Sequence, residues 1–219
     1  PYPVDIPDGL RDVTVTRNQL SGRFGGSPME MFPKPKAEDL ARHGRDNFLC
    51  INPVWNPHAP LRPGHTGLLF VMREIHPIKQ ALFVRLQLNK WQYMGDYELP
   101  SFTPLSAERW LALPQDSKKT WVKSVMKKEW AKPIRARISL RISLGREPMQ
   151  DEVDGAMERS VKITDKDVAA ALNDGSERIR VWTLKCVGYD EELGRICAEI
   201  SGTRPQSTSR PQRRRSRQG

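Results

Sequence analysis

The sequence predicts an α+β domain: a curled or barrel-like antiparallel sheet flanked by three or four short helices. Three observations predict it. Strand-like runs follow one another at Gly67 to Ile75, Ala81 to Leu88 and Trp91 to Tyr97. Residues Ile134 to Leu144 alternate apolar and polar without a break, the period of a half-buried strand. Between and after these runs stand segments with helix punctuation: a capping residue at the start, Pro or Gly at the end.

The elements can be taken in order. Residues 1–12 carry three prolines and no periodicity, so they are expected as an extended lead-in, with the domain spanning 13–200. Val13 to Leu20 is a short strand or turn. Ser21-Gly22-Arg23-Phe24-Gly25-Gly26-Ser27-Pro28 is expected as a glycine-rich loop, and it lacks the Gly and Lys spacing of a phosphate-binding P-loop. Ala37 to Arg42 is one or two helical turns. Phe48-Leu49-Cys50-Ile51 suits a buried strand. Residues 52–65 contain four prolines, which remove donors and fix φ, so they form a stiff irregular loop. Asn52, Trp55, His58, Arg62 and His65 lie on it, and a rigid loop with polar tips is a common place for binding groups.

His76 to Gln80 separates the runs 67–75 and 81–88, which predicts a hairpin, with the aromatic segment as third strand of a meander. Ser106 can cap a short helix to Leu113, with Trp110 on its apolar side and Pro114 as its stop. A second helix is expected from about Ser117 to Trp130, capped by Asp116 or Ser117. Trp121 and Val125 recur on one face and Lys119, Lys123 and Lys127 on another, widened by Lys118, Lys128 and Lys132. Thr164 can cap a further helix whose first turn holds Asp165 and Asp167, and Gly175 ends it. Arg178 to Val187 is a last long strand, a turn follows at Gly188 to Glu191, and Leu193 to Ile200 fits either element.

Composition bounds the function. The 219 residues carry a net charge of +10, but the 201–219 tail holds six arginines and no acid, leaving +4 for the rest. The tail is rich in Pro, Ser, Gln and Arg, so it is expected to be disordered. Arg213-Arg214-Arg215-Ser216-Arg217 reads as a nuclear-import or nucleic-acid patch. No apolar run approaches the roughly 20 residues of a bilayer span. Three scattered cysteines, Cys50, Cys186 and Cys197, form no disulfide framework or zinc motif. An intracellular, nuclear protein with no cofactor and no metal is the expectation.

The most informative segment is Trp91-Gln92-Tyr93-Met94-Gly95-Asp96-Tyr97. If it is a regular strand, Trp91, Tyr93, Gly95 and Tyr97 share one face. Aromatics separated by a glycine make a slot that stacks planar groups or holds cations. Asp96 is placed to accept from a base amino group, with Asn52 and Trp55 closing the slot from the proline loop. On the alternating run, Arg135, Arg137 and Arg141 would share a sheet face on which residues repeat at about 6.6 Å, a spacing comparable to that of phosphates along a strand. With Lys119, Lys123 and Lys127 they are the candidate phosphate-binding residues.

These residues yield three functional expectations. The first is a nucleic-acid-binding module, a DNA reader that holds a modified or flipped base in the aromatic pocket. The second is a peptide-binding module that cages a methylated lysine. The third is a hydrolase or nuclease using His58, His65 and a carboxylate.

The succession Gly25-Gly26, Cys50-Ile51-Asn52-Pro53-Val54-Trp55, Trp91 to Tyr97, Trp110, Trp121, Gly145-Arg146-Glu147-Pro148 and Cys186-Val187-Gly188-Tyr189-Asp190 resembles a domain of unknown function found widely in basidiomycete fungi. The resemblance covers about residues 14–198 and implies no activity. Locally, Tyr93-Met94-Gly95-Asp96-Tyr97 is similar to the Tyr-x-Gly-x-Tyr strand of barrel domains that read modified bases. These are the SET- and RING-associated (SRA) and pseudouridine-synthase-and-archaeosine-transglycosylase (PUA) types. That likeness implies an SRA- or PUA-like barrel and a base stacked among aromatics. Here the usual Tyr-Asp-Gly order becomes Tyr-Met-Gly-Asp, with the carboxylate two positions later.

Overall fold

The computed structural model describes residues 2–75, 79–159 and 162–202. Arg213, Arg214, Arg215 and Arg217 of the basic tail lie outside the described residues, as does the segment 76–78. The architecture is mixed α+β, a strongly curled half-barrel sheet with helices packed on its outside. The seven strands are β1 (Thr14–Val15), β2 (Phe48–Ile51), β3 (Gly67–Val71), β4 (Gln80–Gln87), β5 (Lys90–Glu98), β6 (Phe102–Pro104) and β7 (Arg180–Gly188). The path across the sheet is β2-β4-β5-β7-β3, with β1 also on β5 and β6 also on β7. All pairings are antiparallel except β2 with β4.

Nine α-helices occur among the described residues: α1 (Asp8–Arg11), α2 (Arg17–Phe24), α3 (Ala37–His43), α4 (Ala107–Leu111), α5 (Gln115–Lys127), α6 (Lys132–Leu144), α7 (Gln150–Met157), α8 (Asp165–Asn173) and α9 (Glu191–Ser201). Several are capped as their sequences dictate. Thr16 accepts from the Gln19 N–H while the Gln19 side chain accepts from the Thr16 N–H, a capping box that satisfies two orphan donors of α2. Thr164 and Asp167 do the same for α8, and Ser106 caps α4. Helix α5 begins earlier than expected, at Gln115, with Pro114 in the capping position. Segment 1–12 is not merely a lead-in: it forms α1 and buries Ile6 and Leu10. Ser21 to Phe24, expected as the start of a loop, closes α2.

Every strand of the sheet path sends side chains into one inner core. Leu49 and Ile51, Leu69 and Val71, Leu82 and Val84, Met94 and Tyr97, and Trp182, Leu184 and Cys186 form a single cluster, so the concave face is filled with packed side chains. The outer face of β2, β4 and β5 is covered by α1, α2 and α9 through Leu10, Leu20, Phe24, Leu193 and Cys197. The outer face of β3 and β7 is covered by α4, α5, α6 and α8 through Trp110, Trp121, Val125, Ile134, Ile138 and Val168.

Two expectations are corrected here. The run Ile134 to Leu144 is not a strand but helix α6. Its alternating letters also satisfy the helical period: Ile134 and Ile138 lie one turn apart and are buried, and Arg137 and Arg141 lie one turn apart on another face. Ile142 and Leu144, which a strand would bury, are exposed. Pro133 in the first turn and Gly145, left-handed at φ 66° just beyond the last, mark the ends of a helix.

The expected hairpin of β3 with β4 does not form either. Strand β3 pairs with β7, Leu69 opposite Trp182, and β4 lies between β2 and β5. The other edge of β3 is taken by the proline loop: Phe70 N–H donates to Asn56 Oδ1 at 2.8 Å and Leu68 N–H to the His58 carbonyl at 2.9 Å. An edge already satisfied this way has no donors left for a neighbouring strand.

Candidate nucleic-acid interface

The aromatic strand is β5, and a bulge divides it. Leu82 pairs with Gly95 and Phe83 with Tyr93, leaving Met94 as an extra residue. A bulge shifts which face each later side chain occupies. Trp91 and Tyr93 therefore pack outward with Phe83 and Leu193, whereas Met94 and Tyr97 pack into the inner core. The expectation that Trp91, Tyr93, Gly95 and Tyr97 share one face is overturned, and they form no common slot. Gly95 makes the bulge possible. Its φ is 115°, and a Cβ there would stand 2.6 Å from the Gly188 carbonyl oxygen.

The side chains of Gln92, Tyr93, Asp96 and Tyr97 are already engaged. Tyr93 donates its hydroxyl hydrogen to Asp96 Oδ1 at 2.7 Å and accepts from the Asp190 N–H at 3.2 Å. Lys79 pairs with the other Asp96 oxygen at 2.9 Å. Asp96 thus has both oxygens occupied, and neither faces a base edge. Tyr97 donates to the His65 carbonyl at 2.7 Å. Burial first, and the hydrogen bond to Asp96 second, push the Tyr93 phenol far above its ordinary range. Burial does the same to Tyr97 and Tyr189. Burial pushes Asp190 up, but the Leu193 N–H and Arg45 more than offset it, and its carboxyl falls below the usual range. The network locks the start of α9 to the sheet. Trp91 alone keeps part of its ring at the surface, and the Arg17 guanidinium covers it at 5.1 Å.

The proline-loop residues go elsewhere. Asn52 accepts from the Val54 N–H through its side chain, closing the turn, rather than facing β5. Trp55 packs edge-on against Trp121 with centroids 5.1 Å apart, and its carbonyl accepts from the Trp121 indole N–H. His58 lies over Phe70 with centroids 6.1 Å apart. Among the described residues neither His58 nor His65 has an ion pair with, or a side-chain hydrogen bond to, a carboxylate. Burial pushes the Cys50 and Cys197 thiols up to about 12, as inert core residues require.

The arginines of α6 form no open row. Arg137 makes a bidentate pair with Glu177 at 2.8 and 2.7 Å. Arg141 reaches the same Glu177 at 2.8 Å and forks onto Glu147 at 2.6 and 2.8 Å. Arg135 donates to the carbonyls of Val125 and Lys128. Glu177 is 5% exposed, so this acid is a buried counter-ion that the sequence reading overlooked. Its isolated position in a short loop offers no periodic signal.

The lysines of α5 differ. Ser117, Trp121, Val122, Ser124 and Val125 bury one face of the helix. Lys119, Lys123 and Lys127 stand exposed on the opposite side, followed by exposed Lys128. None of the four side chains has an ion pair or hydrogen bond among the described residues. Lys118 instead donates to the Leu111 carbonyl, and Lys132 pairs with Glu129.

A cleft of about 400 Å³ lies at the N-terminal end of this same layer, between β3, β6, β7, the end of α4 and His58. Its residues come from four separate stretches of chain, so no local pattern marks it. No helix among the described residues is long and apolar enough to cross a membrane.

Fold and surface together define an α+β half-barrel domain with a filled interior and, on α5, a row of exposed lysines that have no ion pair among the described residues. The chain belongs to the family described as Domain of unknown function (DUF6697), which it matches over residues 14–199. Neither a curated protein nor a solved structure matches it.

Proposed function

We propose that the domain binds nucleic acid, DNA in particular, by holding the phosphate backbone on the exposed face of α5. The observation that carries this is the row Lys119, Lys123 and Lys127, extended by Lys128, with no acid paired to it among the described residues. One helical turn separates successive members, roughly 6 Å along the axis, and three or four unpaired ammonium groups in a row match a polyanion better than any single anion. Backbone contacts of this kind fix position without reading sequence. In this reading the arginines of the tail, Arg213 to Arg217, add affinity and serve nuclear import. The aromatic strand has no part in it, since Tyr93 and Tyr97 are buried on opposite faces and Arg17 covers Trp91.

Fluorescence anisotropy of a labelled duplex, titrated with the full chain at several salt concentrations, tests the reading. Each phosphate contact contributes about −0.9 to the slope of log affinity against log salt. Replacing Lys119, Lys123 and Lys127 together by Glu is expected to remove roughly 2 to 3 units of that slope. An unchanged slope contradicts the reading.

A further inference from the structure

The cleft beside β6 has a built floor. Phe70, Val181 and Thr103 are direct partners across three adjacent strands, β3, β7 and β6. Three strands at about 4.8 Å spacing make a platform roughly 10 Å across. Helix α4 is only five residues long, and its cover stops at Leu113, so a cleft remains beside this platform. Phe70 and Val181 are buried at its base, and Thr103 and Pro104 are exposed in it. Small Ala112 forms part of the rim.

The lining holds no acid, and Arg109, His58 and Thr103 are its polar side chains. Arg109 lines the cleft, and its guanidinium has no ion pair or hydrogen bond among the described residues. His58 stands over Phe70, and neither of its ring nitrogens has a hydrogen bond among the described residues. The volume of about 400 Å³ falls in the range of small-molecule sites. A largely apolar, flat-floored cleft with a free guanidinium complements a ring that carries an anion.

We propose that this cleft binds a small flat aromatic anion, its ring held between Thr103 and Pro104 on one side and Ala112 on the other and its carboxylate or phosphate on Arg109, with His58 at the rim. The site is independent of the lysine row and would stand if that row bound nothing.

Calorimetric titration of the full chain tests it without any oligonucleotide. The probes are indole-3-acetate and 5′-AMP, each beside its neutral counterpart, indole-3-acetamide and adenosine. The proposal expects saturable binding of at least one anion, about tenfold or more tighter than its neutral partner. Which anion binds distinguishes a carboxylate ligand from a phosphate one. Arg109→Gln should remove the preference for charge while leaving the neutral affinity in place. Ala112→Phe should fill the cleft and abolish both. Arg109 and Ala112 are exposed, so both variants are expected to melt like the parent. Should Ala112→Phe melt early, Thr103→Trp fills the same space from an exposed position. No saturable binding of any probe, equal affinity for anion and neutral partner, or binding that survives filling in a chain that still melts normally overturns the proposal.

Discussion

Helices α5 and α6 are each 13 residues long, lie next to each other in the chain and are both basic, yet their charges have opposite fates. On α6, Arg137 and Arg141 converge on buried Glu177, and Arg135 is spent on two backbone carbonyls. On α5, Lys119, Lys123 and Lys127 are exposed, and none has an ion pair or side-chain hydrogen bond among the described residues. The difference follows from side-chain chemistry. A planar guanidinium with five donors can bridge several acceptors in a part-buried site, whereas the ammonium is a strongly hydrated point charge that stays in water. Positive charge counted along a sequence is therefore no measure of positive charge available to a partner.

The largest effect should come from removing the acid that neutralises α6. Glu177→Ala leaves the Arg137 guanidinium without either of its bonds and Arg141 with only Glu147. Breaking a buried pair from one side costs about 3 kcal/mol, so the melting temperature should fall by roughly 6 to 12 °C. A shift under about 2 °C would mean that solvent already screens the arginines.

That prediction rests on a residue whose role was invisible beforehand, and the reason is instructive. The fold class was legible because β2, β4, β5 and β7 each announce themselves through apolar runs, and Ser106 and Thr164 through their caps. Helix α6 was misread because Ile-Arg-Ala-Arg-Ile-Ser-Leu-Arg-Ile-Ser-Leu fits periods of two and of 3.6 alike. Only the flanking Pro133 and Gly145 separate the readings, and they favour the helix. The β3 partner and the β5 bulge depend on contacts between distant segments, of which Gly95 against the Gly188 carbonyl is the clearest. The aromatic slot failed for that local reason: one extra residue, Met94, sends Tyr93 and Tyr97 to opposite faces. The exposure of the lysine row was legible because a surface helix face needs no distant partner.

A smaller effect should appear on acidification. Arg141 holds the Glu147 carboxyl below its ordinary range. A depressed folded-state value contributes stability that is present above the unfolded value of about 4.3 and is lost as pH falls through the folded one. Glu147 is largely exposed, so the contribution is a fraction of a kcal/mol. Urea titrations at pH 7 and pH 3 should show the parent losing slightly more stability than a Glu147→Gln variant. Equal losses would remove Glu147 from the network that neutralises α6.

The smallest effect on stability belongs to α5. Changing Lys119, Lys123 and Lys127 to Ala should move the denaturation midpoint by no more than about 0.5 kcal/mol per site, the ordinary range for surface positions. A larger loss would show that the lysine stems cover apolar surface and act in folding rather than in binding.

The contrast between the two helices is tested most directly by amide chemical-shift mapping of the full chain with a short DNA duplex. The account predicts salt-sensitive shifts concentrated at residues 119–128 of α5 and its end, with Arg137 and Arg141 of α6 and Glu177 unmoved. Shifts centred on α6, or none on the folded domain while the duplex is bound, would contradict it.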